Sequence, residues 1–115
     1  MTIYRHQPGA RLSEAVVANG LIFLAGQVPN NTDVDATAQT ADVLAQIDKL
    51  LAELGSDKSR IVDTTIFLAD LADYDAMNVA WDAWVPAGHT PARATVQAKL
   101  ANPAWKVEIK LVAAR

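Results

Sequence analysis

The sequence contains no cysteine among its 115 residues. That single absence removes disulfides, thiolate nucleophiles and zinc–thiolate sites together. Long apolar runs are also missing. The longest, Leu21 to Ala25, falls far short of the ~20 residues that a membrane span needs. Basic residues are few and scattered: ten Lys and Arg stand against thirteen Asp and Glu, for a formal charge of −3. A protein that works by neutralising phosphates shows a basic stripe, so nucleic acid is not expected as the main partner. Histidine is limited to His6 and His89, far apart in sequence and with no second ligand at metal spacing. No metal is assigned on that pattern, and no Ser-His-Asp arrangement can be built. Gly20, Gly26 and Gly88 form no phosphate-cradling motif. The first six residues carry none of the apolar character of a signal peptide, and a cytoplasmic location is the default expectation.

What is present fits one ordinary globular domain over residues 1–115, just large enough to bury a single core. Two apolar runs, Ala15 to Ala18 and Leu21 to Ala25, flank Asn19-Gly20. That pair favours a type I′ turn, so the stretch is a β-hairpin. From Ala36 to Leu54 the spacing changes: Ala41, Leu44, Ile47, Leu51 and Leu54 recur every three or four residues, as on an amphipathic helix. Asp33 or Asp35 can cap its start and Gly55 its end. Residues Ile61 to Leu68 are rich in β-branched side chains and read as a strand. Asp73 caps a second helix from Tyr74 to Val85, stopped by Pro86 and Gly88. Two further strands, Arg93 to Leu100 and Lys106 to Ala113, flank the loop Ala101 to Trp105.

The order β-β-α-β-α-β-β describes an α+β domain with two helices on one face of a mixed sheet. The other face needs explaining, because the first strands carry apolar residues at both parities, Leu21 and Phe23 against Ile22 and Leu24. A solvated face would alternate more cleanly. Either a short N-terminal strand, Ile3-Tyr4, folds over part of that face, or the face is buried against other subunits. The second reading is preferred, and self-association is expected.

Period two places Ala94, Val96 and Ala98 on one face of the fifth strand and Arg93, Thr95, Gln97 and Lys99 on the other. In the last strand Val107, Ile109 and Leu111 alternate with Glu108 and Lys110. The apolar sets suit the helix side, which points the polar sets at the interface. A charge buried there needs a partner or a ligand. Arg93 is then either half of an interfacial ion pair or a planar fork for a carboxylate. Glu108 is either a salt-bridged strand residue or a base that holds and deprotonates water. Thr95 either bonds a ligand or fills a strand position. If the last two strands pair as a hairpin, Glu108 faces Ala98, on the order of 16 Å from Arg93. The two share a site only if the strands are not neighbours or if each comes from a different subunit.

Five segments in order carry a resemblance: Ala25-Gly26-Gln27-Val28-Pro29, Thr64 to Leu71, Asn78, Pro91-Ala92-Arg93 and Lys106-Val107-Glu108-Ile109. Together they resemble the Rid (reactive intermediate deaminase, YjgF-type) family, and the stretches Ala76 to Val85 and Val107 to Lys110 are most similar to its YoaB branch. The resemblance implies a chorismate-mutase-like fold and a homotrimer with sites in the clefts between subunits. It further implies cofactor-free hydrolysis of 2-imino or 2-enamino acids to 2-oxo acids and ammonia. Arg93 corresponds to the family's carboxylate-binding arginine, Glu108 to the glutamate associated with the attacking water, and Gly26 to a pocket-lining backbone position. Thr95 stands where the best-studied branch has cysteine, and Leu12 where it has a pocket tyrosine. Ala101-Asn102 replaces a leucine-proline pair in the last hairpin, and these departures bear on substrate range more than on carboxylate binding, because Arg93 remains. The alternatives are a protein that binds small carboxylates without turnover, and a ribonuclease; the acidic charge and the lack of a basic groove count against the latter.

Overall fold

The computed structural model describes residues 1–115. Six strands and two helices follow in the order β1 (Ile3–Pro8), β2 (Ser13–Ala18), β3 (Leu21–Leu24), α1 (Ala36–Glu53), β4 (Ile61–Leu68), α2 (Tyr74–Trp84), β5 (Ala92–Gln97) and β6 (Val107–Ala114). Asn19 and Gly20 both take positive φ, 53° and 76°, as the type I′ turn between β2 and β3 requires. Asp35 caps α1 by accepting from Ala38 N at 2.9 Å. At the other end Gly55 is left-handed, Gly55 N donates to Ala52 O and Ser56 N to Leu51 O, the Schellman closure that glycine permits. Asp73 makes no capping bond to α2. Asp70 does the nearby capping instead, accepting from Ala72 N in the short 3₁₀ turn that precedes the helix. Val85 is extended because it precedes Pro86, which disfavours the helical conformation in the residue before it.

All six strands form one sheet in the order β1-β2-β3-β6-β4-β5. β1 does not fold over the second face. It pairs antiparallel with β2, satisfying backbone groups that β2 would otherwise expose at the sheet edge. β5 and β6 are consecutive in the chain and yet are not neighbours. β4 lies between them, antiparallel to β6 and parallel to β5, and α2 is the crossover that parallel pairing demands.

Both helices cover one face. Ile22, Leu24, Ile66, Leu68, Ile109 and Leu111 of the sheet meet Val43, Leu44, Ile47, Leu51 and Met77 of the helices in one buried cluster. Gln39 lies inside it, fully buried, donating to Ala104 O at 3.1 Å and accepting from Lys106 N at 2.8 Å. Its amide fixes the loop between β5 and β6, the kind of fully paired buried polar group that specifies one arrangement. No helix is long and apolar enough to cross a membrane. The second face carries Val16, Leu21, Phe23, Phe67, Val96 and Val112, and nothing in the chain covers it. Phe23 and Val96 are 38% and 42% exposed. The apolar character at both parities, legible in the sequence, therefore belongs to a face open to another molecule.

Candidate functional site

Side chains opposite one another across a ladder share a face, so register decides where each candidate residue points. Arg93 is opposite Thr64, and Thr64 is opposite the buried Leu111. Arg93 thus lies on the helix side, and Thr95, opposite Ile66, lies there with it. The expected facing of β5 is reversed: Ala94 and Val96 occupy the open face. Helix α2 makes the polar set tolerable on the covered side. Arg93 Nη1 donates to Asn78 Oδ1 at 2.8 Å and Nη2 to Tyr74 OH at 3.3 Å. The guanidinium also stacks 5.1 Å from the centre of the Trp81 ring, a contact worth about 0.5–2 kcal/mol depending on its exposure. Tyr74, Asn78 and Trp81 fall on one stripe of α2 at spacings of four and three. Asn78 stands in the sequence motif, but its partner becomes evident only with β5 in place.

Arg93 opens into a cleft of ≈ 570 Å³ lined also by Asp75, Asn78, Val79, Trp81 and Asp82. Thr95 Oγ1, on the same face of β5 as Arg93, is buried without a hydrogen-bond partner, as is Thr64 Oγ1. Thr64 was not among the candidates in the sequence, where nothing sets it apart from its neighbour Thr65. No three His, Asp or Glu side chains gather as a metal site would require.

Glu108 is opposite Phe67, one position out of phase with Thr64 and Ile66, and so it lies on the open face. Its carboxylate packs against Gly26. A Cβ on that glycine would overlap Glu108 Oε2 and approach its Cδ to 3.0 Å. The backbone here departs from the ladder. β3 and β6 pair regularly as far as Phe23 and Val112, and the next rung joins Gln27 to Ile109. Four steps on one side against three on the other make a β-bulge at Leu24 to Gly26. Ala25 N donates to Glu14 O and Gln27 N to Ile109 O, while Gly26 N between them has no acceptor in the protomer. A backbone N–H without an acceptor in the protomer and a carboxylate therefore lie close together at the bulge. Leu12 lies in the turn between β1 and β2, 58% exposed.

The structure brings Gly26 and Glu108 together and holds Arg93 beside Thr95, but it keeps the two groups apart. Arg93 and Glu108 are three residues apart along β4 and two strands apart, on the order of 14 Å between Cα atoms, and they point to opposite faces. One small molecule cannot touch both side chains of a single chain.

Comparison with known proteins gives a consistent result. A family model described as Endoribonuclease L-PSP matches residues 2–115. The RutC family protein YoaB of Escherichia coli is 59% identical over 114 residues, 99% of each chain. A protein of Arabidopsis thaliana named Reactive Intermediate Deaminase A, chloroplastic, is 36% identical over 107 residues, covering 88% of this chain and 57% of its own length. Among solved structures, a member of the YjgF protein family from Neisseria meningitidis superposes with a TM-score of 0.97 at 58% identity, covering 100% of this chain and 96% of its own. With its helix-covered six-stranded sheet and a family match along almost its whole length, the chain belongs to the YjgF/Rid family.

Proposed function

We propose that the protein hydrolyses 2-imino or 2-enamino acids to 2-oxo acids and ammonia without a cofactor, at sites shared between subunits of a homotrimer. One observation carries this reading. Arg93 and Glu108, the two residues to which the resemblance assigns carboxylate binding and water activation, lie on opposite faces of one sheet, and the face bearing Glu108 is apolar and open. Each half becomes useful only when the Arg93 edge of one protomer meets the Glu108 face of another. Two unlike patches in contact form a heterologous interface, which gives a ring where its rotation closes and a filament where it does not; a ring of three is what the resemblance implies.

In such a cleft the substrate carboxylate takes the free edge of the Arg93 guanidinium, whose other donors stay with Asn78 and Tyr74. The Thr95 hydroxyl, on the same face of β5 and without a partner in the protomer, offers a further hydrogen bond to the ligand. Glu108 accepts a proton from water as its oxygen adds to C2 of the imine. The Gly26 N–H offers a donor to the polar group at that carbon. Return of that proton to nitrogen gives the carbinolamine, and transfer of its hydroxyl proton to nitrogen, as the C2–O double bond forms and the C2–N bond breaks, releases ammonia and leaves the 2-oxo acid. Imines hydrolyse in water unaided, so the chemistry asks only for placement and charge stabilisation. Leu12, exposed in its turn, would close the apolar side of the pocket and set substrate range.

Two comparisons bear on the choice. The Arabidopsis relative carries a deaminase name, whereas YoaB carries only its family name. The family model's description favours ribonuclease activity, but the chain is acidic overall, and Asp75 and Asp82 rim the Arg93 cleft, which would repel a phosphate backbone. Ammonia release from a panel of freshly generated 2-imino acids tests the reading. Release no faster than in buffer, with 2-oxo acids still bound, would leave a carboxylate-binding protein without turnover.

A further inference from the structure

We infer that Lys110 is a positioning residue for the Gly26–Glu108 half of the site: it pins the β-bulge that sets the Gly26 N–H beside the carboxylate. This inference rests on the proposed deaminase reading and adds a residue to it.

The bulge leaves three backbone segments to be held in place. Ala25 is fixed by its bond to Glu14 O, and Gln27 by its paired bonds with Ile109, at 2.8 and 2.9 Å. Leu24 begins the irregular stretch. Its side chain is fully buried in the core, and it is the first residue beyond the regular rungs that end at Phe23 and Val112. Lys110 Nζ donates to that carbonyl. The ammonium thus gives that carbonyl a partner at the point where the regular ladder stops, and a carbonyl of so buried a residue would be costly to leave unpaired.

The same strand carries the rest of the arrangement. Glu108, Ile109 and Lys110 are consecutive, and they touch Gly26, Gln27 and Leu24 respectively. Three adjacent residues of β6 therefore grip the bulge from one end to the other. Glu108 and Lys110 do so from the open face, the central residue through its backbone. Side-chain identity matters at both outer positions. At 110 the requirement is a long donor, since the target is a carbonyl on the neighbouring strand. Lysine's four-carbon stem and three-donor head fit that need, and arginine would reach as far.

The predicted consequence is selective. The substrate carboxylate is held by Arg93, on the other face and in the proposed trimer on another subunit, so binding should change little when the bulge loosens. The step at C2 should suffer, because misplacing a reacting group by about 1 Å costs on the order of a hundredfold. Lys110→Met keeps the length and apolar stem and removes the donor. Steady-state kinetics on a 2-imino acid that the wild type hydrolyses should show kcat lowered about ten- to a hundredfold with KM within about twofold, and Lys110→Arg should recover most of the loss. In parallel, the Gly26 amide resonance should shift in Lys110→Met and return towards its wild-type position in Lys110→Arg. Unchanged kcat and an unmoved Gly26 resonance in Lys110→Met would overturn the inference, as would a loss that Lys110→Arg does not restore. Absence of turnover in the wild type would instead defeat the deaminase reading, and the resonance of Gly26 would still decide whether Lys110 holds the bulge.

Discussion

Arg93 and Glu108 occupy opposite faces of one sheet, opposite Thr64 and Phe67 of the strand that separates them. Fifteen positions apart in the chain, they look in the sequence like two residues of one hairpin. The insertion of β4 between their strands cuts their offset along the sheet from five residues to three but sets them two strands apart, and the phase of the ladder turns them away from each other. The whole functional proposal follows from that geometry, since a site that uses both must draw them from two chains.

The first expectation is therefore the assembly itself. Light scattering coupled to size exclusion should give a trimer at micromolar concentration. A monomer would leave the open face with Phe23 and Val96 in water and remove the shared cleft.

For ligand recognition, calorimetry with a 2-oxo acid should show weak binding that Arg93→Ala abolishes. Arg93→Lys should still lose affinity, about tenfold, because an ammonium cannot offer the bidentate fork or keep both the Asn78 and Trp81 contacts. Undiminished affinity in Arg93→Ala would make Arg93 a structural tie between β5 and α2.

Gly26→Ala separates activity from stability. The new methyl group collides with the end of the Glu108 side chain rather than with backbone, so the carboxylate can swing aside and the fold should survive. The expected result is a melting temperature close to wild type with activity reduced about a hundredfold. Full activity in that variant would show that the close approach of the two residues is not used.

Asp35→Ala reports on the scaffold alone. Its carboxylate caps α1 through Ala38 N and does not line the Arg93 cleft, and its loss should lower stability by about 1 kcal/mol. Denaturant unfolding should show that decrease while KM and kcat per folded protomer stay unchanged; a change in kcat would mean that the bond from Thr37 of α1 to Ala76 O of α2 carries the loss of the cap to the Arg93 cleft.

Much of this architecture is legible in the sequence because local chemistry specifies it. Asn19-Gly20 dictates its turn, Asp35 and Gly55 bound α1, and the β-branched run Ile61 to Leu68 is the strand it reads as. The topology is less accessible, since adjacency in the chain suggests pairing of β5 with β6 and only the crossover geometry of α2 places β5 parallel to β4. The facing of β5 misleads for a physical reason. Ala94 and Val96 are apolar because their face awaits a partner molecule, while Arg93 is accommodated on the covered side by Tyr74, Asn78 and Trp81. Apolar parity marks burial, and it does not say whether the burial lies within the chain or between chains. The bulge at Leu24 to Gly26 is likewise invisible without the register, although Gly26 itself stands out in the motif.

The shared-site claim is tested most directly by subunit mixing. Arg93→Ala and Glu108→Gln should each be inactive as homotrimers. Co-refolded one to one, half of the arginines and half of the glutamates are intact and they combine at random, so about a quarter of the clefts of a closed ring should hold both. The expected ammonia-releasing activity is about a quarter of wild type, in trimers confirmed as mixed by native mass spectrometry. Mixed trimers with no activity above either parent would contradict a site built from Arg93 of one chain and Glu108 of another.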